Sequence, residues 1–241
     1  MGKTAHHYSG TVTTKQNALW GQIDLMLSDQ QIRQAFQMIL AEFPMAGPSL
    51  KAASNFQYLV AVILSAQTTD KAVNQVTPQL FQKYPTPPTM AQAKVAEIEP
   101  LIKTIGLYHN KARYLVACSQ KLCTDFAGEV PAEKKSLVTL PGVGGKTANV
   151  VLADCFNIPA FAVDTHVSKI AQRLHFVAPK VNVTQVERRL TQALPESLWI
   201  KSHHALIAMG RKYNFHKEKQ ISNLPVVQAC DNWERSNLVK N

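Results

Sequence analysis

Acidic residues are scarce in this chain: 16 aspartates and glutamates stand against 26 lysines and arginines, a formal net charge of +10. Such a surplus points to a polyanionic partner, nucleic acid before membrane, because no basic amphipathic anchor accompanies it. No run approaches the ~18 apolar residues of a membrane-spanning helix, and residues 1–21 lack the apolar centre of a signal peptide. A cytoplasmic protein with no membrane partner is expected. Cysteine is sparse too, and Cys118, Cys123, Cys155 and Cys230 form no C-x-x-C pair and no zinc-like spacing with histidine. Reduced, partly buried thiols are the reading, without a disulfide framework and without a metal site. Alternation of period two is almost missing, so the fold class is all-α, with ample core in its 46% hydrophobic residues.

What is present reads as a succession of helices. Residues 1–20 show no periodicity and are expected to form a disordered N-terminal arm. Ser28 with Gln31 makes a capping-box pattern ahead of a stripe of Ile32, Phe36, Ile39 and Leu40. Ser54 caps a helix that is nearly apolar all round and ends at Gln67, whose polar atoms would need partners in a buried setting. Asp70 to Tyr84 is helical, with Pro78 expected to kink or divide it. Short helices around Pro100 lead to the turn Gly106-Leu107, which exposes an apolar side chain, and Lys111 to Phe126 resumes the pattern. Pro131 to Leu140 and Lys146 to Phe156 form two arms of a hairpin. Asp164 and Thr165 cap Val167 to Leu174, Thr184 with Glu187 opens Val186 to Leu194, and a helix runs from Ser197 to Tyr213.

The chain is organised around Leu140-Pro-Gly-Val-Gly-Gly-Lys-Thr-Ala-Asn149. Gly142, Gly144 and Gly145 permit positive φ and close approach to another molecule, and the free N–H groups of the following helix favour an anion such as phosphate. A nucleotide-binding P-loop is excluded, because the position of its first glycine is Leu140. Asp154 imitates a magnesium-site aspartate, yet it lies on the same helix as Lys146. Lysine at a helix start meets the positive end of the dipole, so Lys146 is either a phosphate contact or, unprotonated, an amine nucleophile. Asp164 is a helix cap that could also take a proton from such an amine and stabilise positive charge on a sugar. His166 reads as a structural or DNA-contacting residue. His203 and His204, about 100° apart on a helix, cannot chelate together and read as packing and surface.

Leu64-Ser-Ala-Gln-Thr-Thr-Asp70, Ile102-Lys-Thr-Ile-Gly-Leu-Tyr-His-Asn-Lys-Ala112, the hairpin stretch through Leu152, and Ala162-Val-Asp-Thr-His166 together resemble the bacterial endonuclease III family of helix-hairpin-helix DNA glycosylases. The resemblance spans about residues 28–213 in order and spacing. It implies a two-lobed all-α fold, with residues 48–158 as one lobe ending in the hairpin and residues 21–47 plus 159–241 as the second. DNA would lie in the cleft between them. It further implies a monomeric DNA glycosylase and abasic-site lyase of base excision repair, acting on double-stranded DNA with a damaged base or abasic site in the nucleoid. Lys146 would attack C1′ of a flipped oxidised pyrimidine nucleotide and Asp164 would assist base loss and proton transfer. Gln67 would fill the vacated stack, Leu107 would wedge the opposite strand, and His166 would lie near the damaged nucleotide's backbone. Leu140, Gly142, Val143, Gly144, Gly145 and Thr147 would bind DNA phosphate through the hairpin, with a monovalent cation on its carbonyls as a further option. Competing readings are an adenine-mismatch or other monofunctional glycosylase, and a nonenzymatic DNA-binding protein that would have no use for the Lys146 and Asp164 pair.

One departure stands out. The family's four cluster cysteines, spaced C-x6-C-x2-C-x5-C, fall here on Asn214, Ile221, Leu224 and Cys230. A [4Fe–4S] cluster needs four ligands, usually cysteine, so a branch without the iron–sulfur cofactor is expected, its C-terminal segment ordered by packing.

Overall fold

The computed structural model describes residues 26–215 and 217–239, so the expected N-terminal arm lies outside the described residues. Among these the chain is helical, without a strand. Ser28 and Gln31 close both halves of a capping box at the start of α1, Asp29–Glu42, which buries Ile32, Ala35, Phe36 and Ile39. Ser54 caps α2, Asn55–Leu64, in which every residue from Leu59 onward is buried. The helix α3, Asp70–Lys83, runs undivided through Pro78, so of the expected kink or division the division does not occur. Pro78 is exposed, so its ring meets no core side chain, and the helix lacks only the one backbone bond that a proline cannot donate.

Three further helices follow: α4, Pro87–Ala91, α5, Val95–Ile102, and α6, Tyr108–Asp125. The first hairpin arm is a single turn, α7, Lys134–Leu137, much shorter than the stretch from Pro131 to Leu140 suggested, and α8, Gly145–Phe156, is the second. Then come α9, Thr165–Arg173, and α10, Val183–Ala193. A 3-10 turn, Glu196–Leu198, leads into α11, Trp199–Lys212, and the chain closes with α12, Glu218–Ile221, and α13, Pro225–Val239. The box that opens α10 is Asn182 with Gln185, two residues earlier than the Thr184 and Glu187 pair read from sequence. The earlier start leaves the Glu187 carboxylate free to reach Lys134 and Asn149.

Apolar side chains collect in two clusters. One joins α2 through α8 around Leu59, Leu64, Leu80, Ile98, Leu115 and Val151. The other joins α1 to α9, α10, α11 and α13 around Phe36, Phe176, Leu190, Leu206 and Met209, with the Phe36 and Phe176 rings stacked 5.4 Å apart. Residues 161–163 carry the chain across from the first cluster to the second, and all three are buried.

The C-terminal segment joins the second cluster. Ile221, Val226, Val227 and Cys230 are buried in it, and Leu224 and Trp233 pack against it. Arg173 on α9 clamps the segment from outside, donating to both oxygens of Asp231 at 2.7 and 3.0 Å and to Glu218 at 2.9 and 2.6 Å. Such two-pronged pairing fixes geometry as well as charge.

Candidate active site

A cleft is lined by one face each of α2, α8 and α11 together with the strap at residues 47–50. Lys146, Val150 and Asp154 recur every four residues on α8 and so share a face. Tyr58, Val62 and Ser65 face them from α2 and its end, and His204, Ile207 and Arg211 from α11. Asp164, at the start of α9, completes the wall beside Lys146.

The two candidate catalytic groups are brought together. Lys146 Nζ lies 4.0 Å from Asp164 Oδ2, the lysine half exposed and the carboxylate mostly buried. Asp164 is the N-cap of α9, with Oδ1 accepting the Val167 N–H at 2.8 Å. One oxygen of Asp164 thus caps a helix and the other faces the lysine.

The hairpin places that lysine. Gly142 takes the left-handed φ of 81° and the Val143 N–H returns to the Leu140 carbonyl at 3.0 Å, closing the turn. A Cβ at Gly142 would also stand 3.0 Å from the Tyr114 Cβ and 3.2 Å from an Ile63 methyl, so only glycine fits. Gly144 is the extended N-cap of α8 and Gly145 its first residue, so neither uses positive φ, contrary to expectation. Their Cα hydrogens face open space, with nothing within 4 Å of where a Cβ would stand. The first helical bond of α8 runs from the Ala148 N–H to the Gly144 carbonyl at 2.9 Å. The amides of Gly145, Lys146 and Thr147 thus have no partner within the helix and are available to an anion. Leu140 and Val143 are buried, Thr147 half-buried, so this turn meets the outside with backbone.

Other sequence candidates fall elsewhere. His166 is exposed and lines a neighbouring groove with Lys169 and Lys212, sharing only Arg211 with the cleft. Its ring lies against Gly210, where a Cβ would come within 3.0 Å of its own Cβ. Gln67 lies three residues past the end of α2, exposed, at φ 54°, and not within a buried stack. Leu107 is 55% exposed at φ 60° as the N-cap of α6.

The floor of the cleft has almost no signature in the sequence. Asp154 Oδ1 accepts from His204 Nε2 at 2.7 Å, and Asp154 Oδ2 accepts a short bond from the Tyr58 hydroxyl. Burial, reinforced by the Asp154 charge, holds the Tyr58 phenol far above its ordinary pKa, so it stays a donor. His203 and His204 are both buried, which fits the packing part of their reading and not the surface part. Burial and the neighbouring His204 push His203 down to about 4, and its Nδ1 donates to the Ala162 carbonyl at 2.8 Å. At the cleft's edge Arg211 donates to Asp70 at 2.5 Å and to Ser49 at 3.0 Å. The four-residue step from Lys146 to Asp154 was the one sequence signal for this floor. Its partners come from distant helices and carry no local pattern.

The donor set at the expected cluster positions does not suit an iron–sulfur group. Ile221 and Cys230 are buried among aliphatic side chains and Leu224 packs there too, leaving a single thiol, which burial pushes up to about 12. Among the described residues no three histidine, cysteine or acidic side chains are grouped to hold a metal. No helix among them is long and apolar enough to cross a membrane.

The chain is similar to known DNA repair proteins. The model of the HhH-GPD superfamily of base excision DNA repair proteins matches residues 60–196. Endonuclease III of Bacillus subtilis (strain 168) is 41% identical over 205 residues, covering 85% of this chain and 94% of that protein. Endonuclease III of Escherichia coli (strain K12) is 39% identical over 189 residues, covering 78% and 89%. Among solved structures, a trapped endonuclease III–DNA covalent intermediate superposes with a TM-score of 0.81 at 40% identity, covering 88% of this chain and 99% of that one.

Proposed function

Since the chain belongs to the HhH-GPD superfamily of base excision DNA repair proteins, we infer that it is a DNA glycosylase and abasic-site lyase acting on damaged double-stranded DNA, and we propose Lys146 as its nucleophile. The observation that carries the assignment is the Lys146–Asp164 pair, 4.0 Å apart beside a hairpin of unpartnered amides. We propose further that the two apolar clusters are two lobes, with DNA across the cleft between them. The hairpin amides of Gly145 to Thr147 would hold a phosphate, and the +10 net charge supplies the long-range attraction.

The reaction runs as follows. The damaged nucleotide, an oxidised pyrimidine in this reading, leaves the stack and its sugar meets Lys146. The neutral amine attacks C1′, the C1′–N bond breaks, and the base leaves with the bonding pair. Asp164 stabilises the positive charge that develops on the sugar and takes the proton released from the lysine nitrogen. Opening of the sugar ring gives an imine. Loss of a C2′ proton then expels the 3′ phosphate by β-elimination, and water releases the lysine. Gln67 and Leu107 take the vacated space and the opposite strand, and His166 the flanking backbone. No step passes through an iron–sulfur group, which the side chains at the expected ligand positions do not fit. The setting of this activity would be the bacterial nucleoid.

A duplex carrying one oxidised pyrimidine tests the reading. Loss of the base followed by a nick bearing a β-elimination end is expected without added metal. Base loss with an intact strand would instead indicate a monofunctional glycosylase.

A further inference from the structure

Lys111 is buried, 3% exposed, on α6, and a buried ammonium is costly unless it is held by polar partners. Its Nζ donates to the Thr68 hydroxyl at 2.8 Å. Burial pulls the lysine below its ordinary pKa. Nothing in the chemistry at Lys146 uses it.

Its surroundings suggest what it does. Lys111 is one helical turn past Leu107, and its own N–H bonds the Leu107 carbonyl at 3.0 Å. Thr68 follows Gln67 directly. The Thr68 N–H bonds the Ser65 carbonyl at 3.0 Å, and the Thr68 hydroxyl donates back to the Ala66 carbonyl at 3.4 Å, bracketing Gln67. One side chain therefore ties two separate turns, 43 residues apart in sequence. Each turn presents an exposed side chain from a left-handed, non-glycine backbone, at φ 54° for Gln67 and 60° for Leu107. Such conformations persist only where surrounding contacts impose them.

We propose that Lys111 and Thr68 are positioning residues that lock the Gln67 and Leu107 turns into one unit, so that both side chains enter a DNA duplex together. The proposal rests on the reading of this chain as a base-flipping glycosylase. Lys111 itself touches no DNA.

The test uses Lys111→Met, which replaces a buried charge with an apolar side chain of similar length, and Thr68→Val, which removes only the hydroxyl. Single-turnover excision from a fully paired duplex should fall about tenfold in each, a loss of positioning, while cleavage of a preformed abasic site in single-stranded DNA stays within about twofold. The double variant should be no slower than either single one, because both remove the same bond. The salt dependence of duplex binding should be unchanged, since the buried ammonium neutralises no phosphate. Equal losses on the two substrates, additive losses in the double variant, or a salt slope reduced by about one would each overturn the proposal. A wild-type protein that excises nothing from either substrate would overturn the glycosylase reading instead.

Discussion

Asn149 stands less than one helical turn after Lys146 on α8, and its side-chain nitrogen donates to the Phe161 carbonyl, three residues before Asp164, at 3.0 Å. The same nitrogen donates to Glu187 at 3.0 Å, so both of its hydrogens are used. From α11, His203 holds the next carbonyl, that of Ala162. The segment leading to Asp164 is thereby fixed from two sides, and the spacing of the candidate pair follows from α8 itself.

Asn149→Ala should therefore act through Asp164. Turnover should fall about tenfold or more with DNA affinity nearly unchanged, as expected when a reacting group is displaced by a fraction of an ångström. In an Asp164→Asn background the same change should add little. Independent, multiplying losses in single-turnover excision would show that Asn149 serves stability alone.

His203 makes stability depend on pH. Its folded value of about 4 lies below the ~6.5 of an unfolded histidine. The unfolded chain therefore binds more protons between those values, and stability, complete above about pH 6.5, is lost as pH falls toward 4. The full effect is about 3 kcal/mol. Below that range a second loss sets in. Burial alone would raise the Asp231 pKa, but hydrogen bonds from Arg173 and His175 bring it below the usual carboxylate value, and Arg173 does the same for Glu218. Melting temperatures from pH 7 to 4 should fall steadily in the wild type and less in His203→Gln; parallel curves would remove His203 as the cause.

The C-terminal segment should hold without metal. Burying an Ile or Leu side chain contributes ~1.5–3 kcal/mol, and Ile221, Val226 and Val227 are buried with Leu224 and Trp233 packed beside them. Purified protein should be colourless and keep its melting temperature in chelator, whereas Leu224→Asp should lower it by several degrees. Stoichiometric iron, four per chain, would contradict this packing.

Much of the candidate site was legible because its signals are local. The glycines before Lys146, the Asp164 cap and the turn at Gly106-Leu107 are each a pattern only a few residues long, although the three lie far apart in the chain. Legibility failed where the cause was tertiary. Pro78 reads as a kink or a division, yet at its exposed position α3 is not divided. Glu187 reads as half of a capping box, and is instead drawn to Asn149 and Lys134 from other helices. Gln67 reads as buried because α2 is apolar all round, but the chain turns to positive φ and carries it outward. The Tyr58–Asp154–His204 floor joins residues up to 146 positions apart in number, a pairing that only packing creates.

In the proposed reaction Lys146 forms the covalent bond to the sugar. The most direct measurement is borohydride reduction of the protein with abasic duplex DNA, followed by mass mapping of the adduct. One stable cross-link is expected, carried by the peptide containing Lys146, and none in Lys146→Gln although that variant still binds DNA. An adduct mapped to another amine, or undiminished cross-linking in Lys146→Gln, would contradict it.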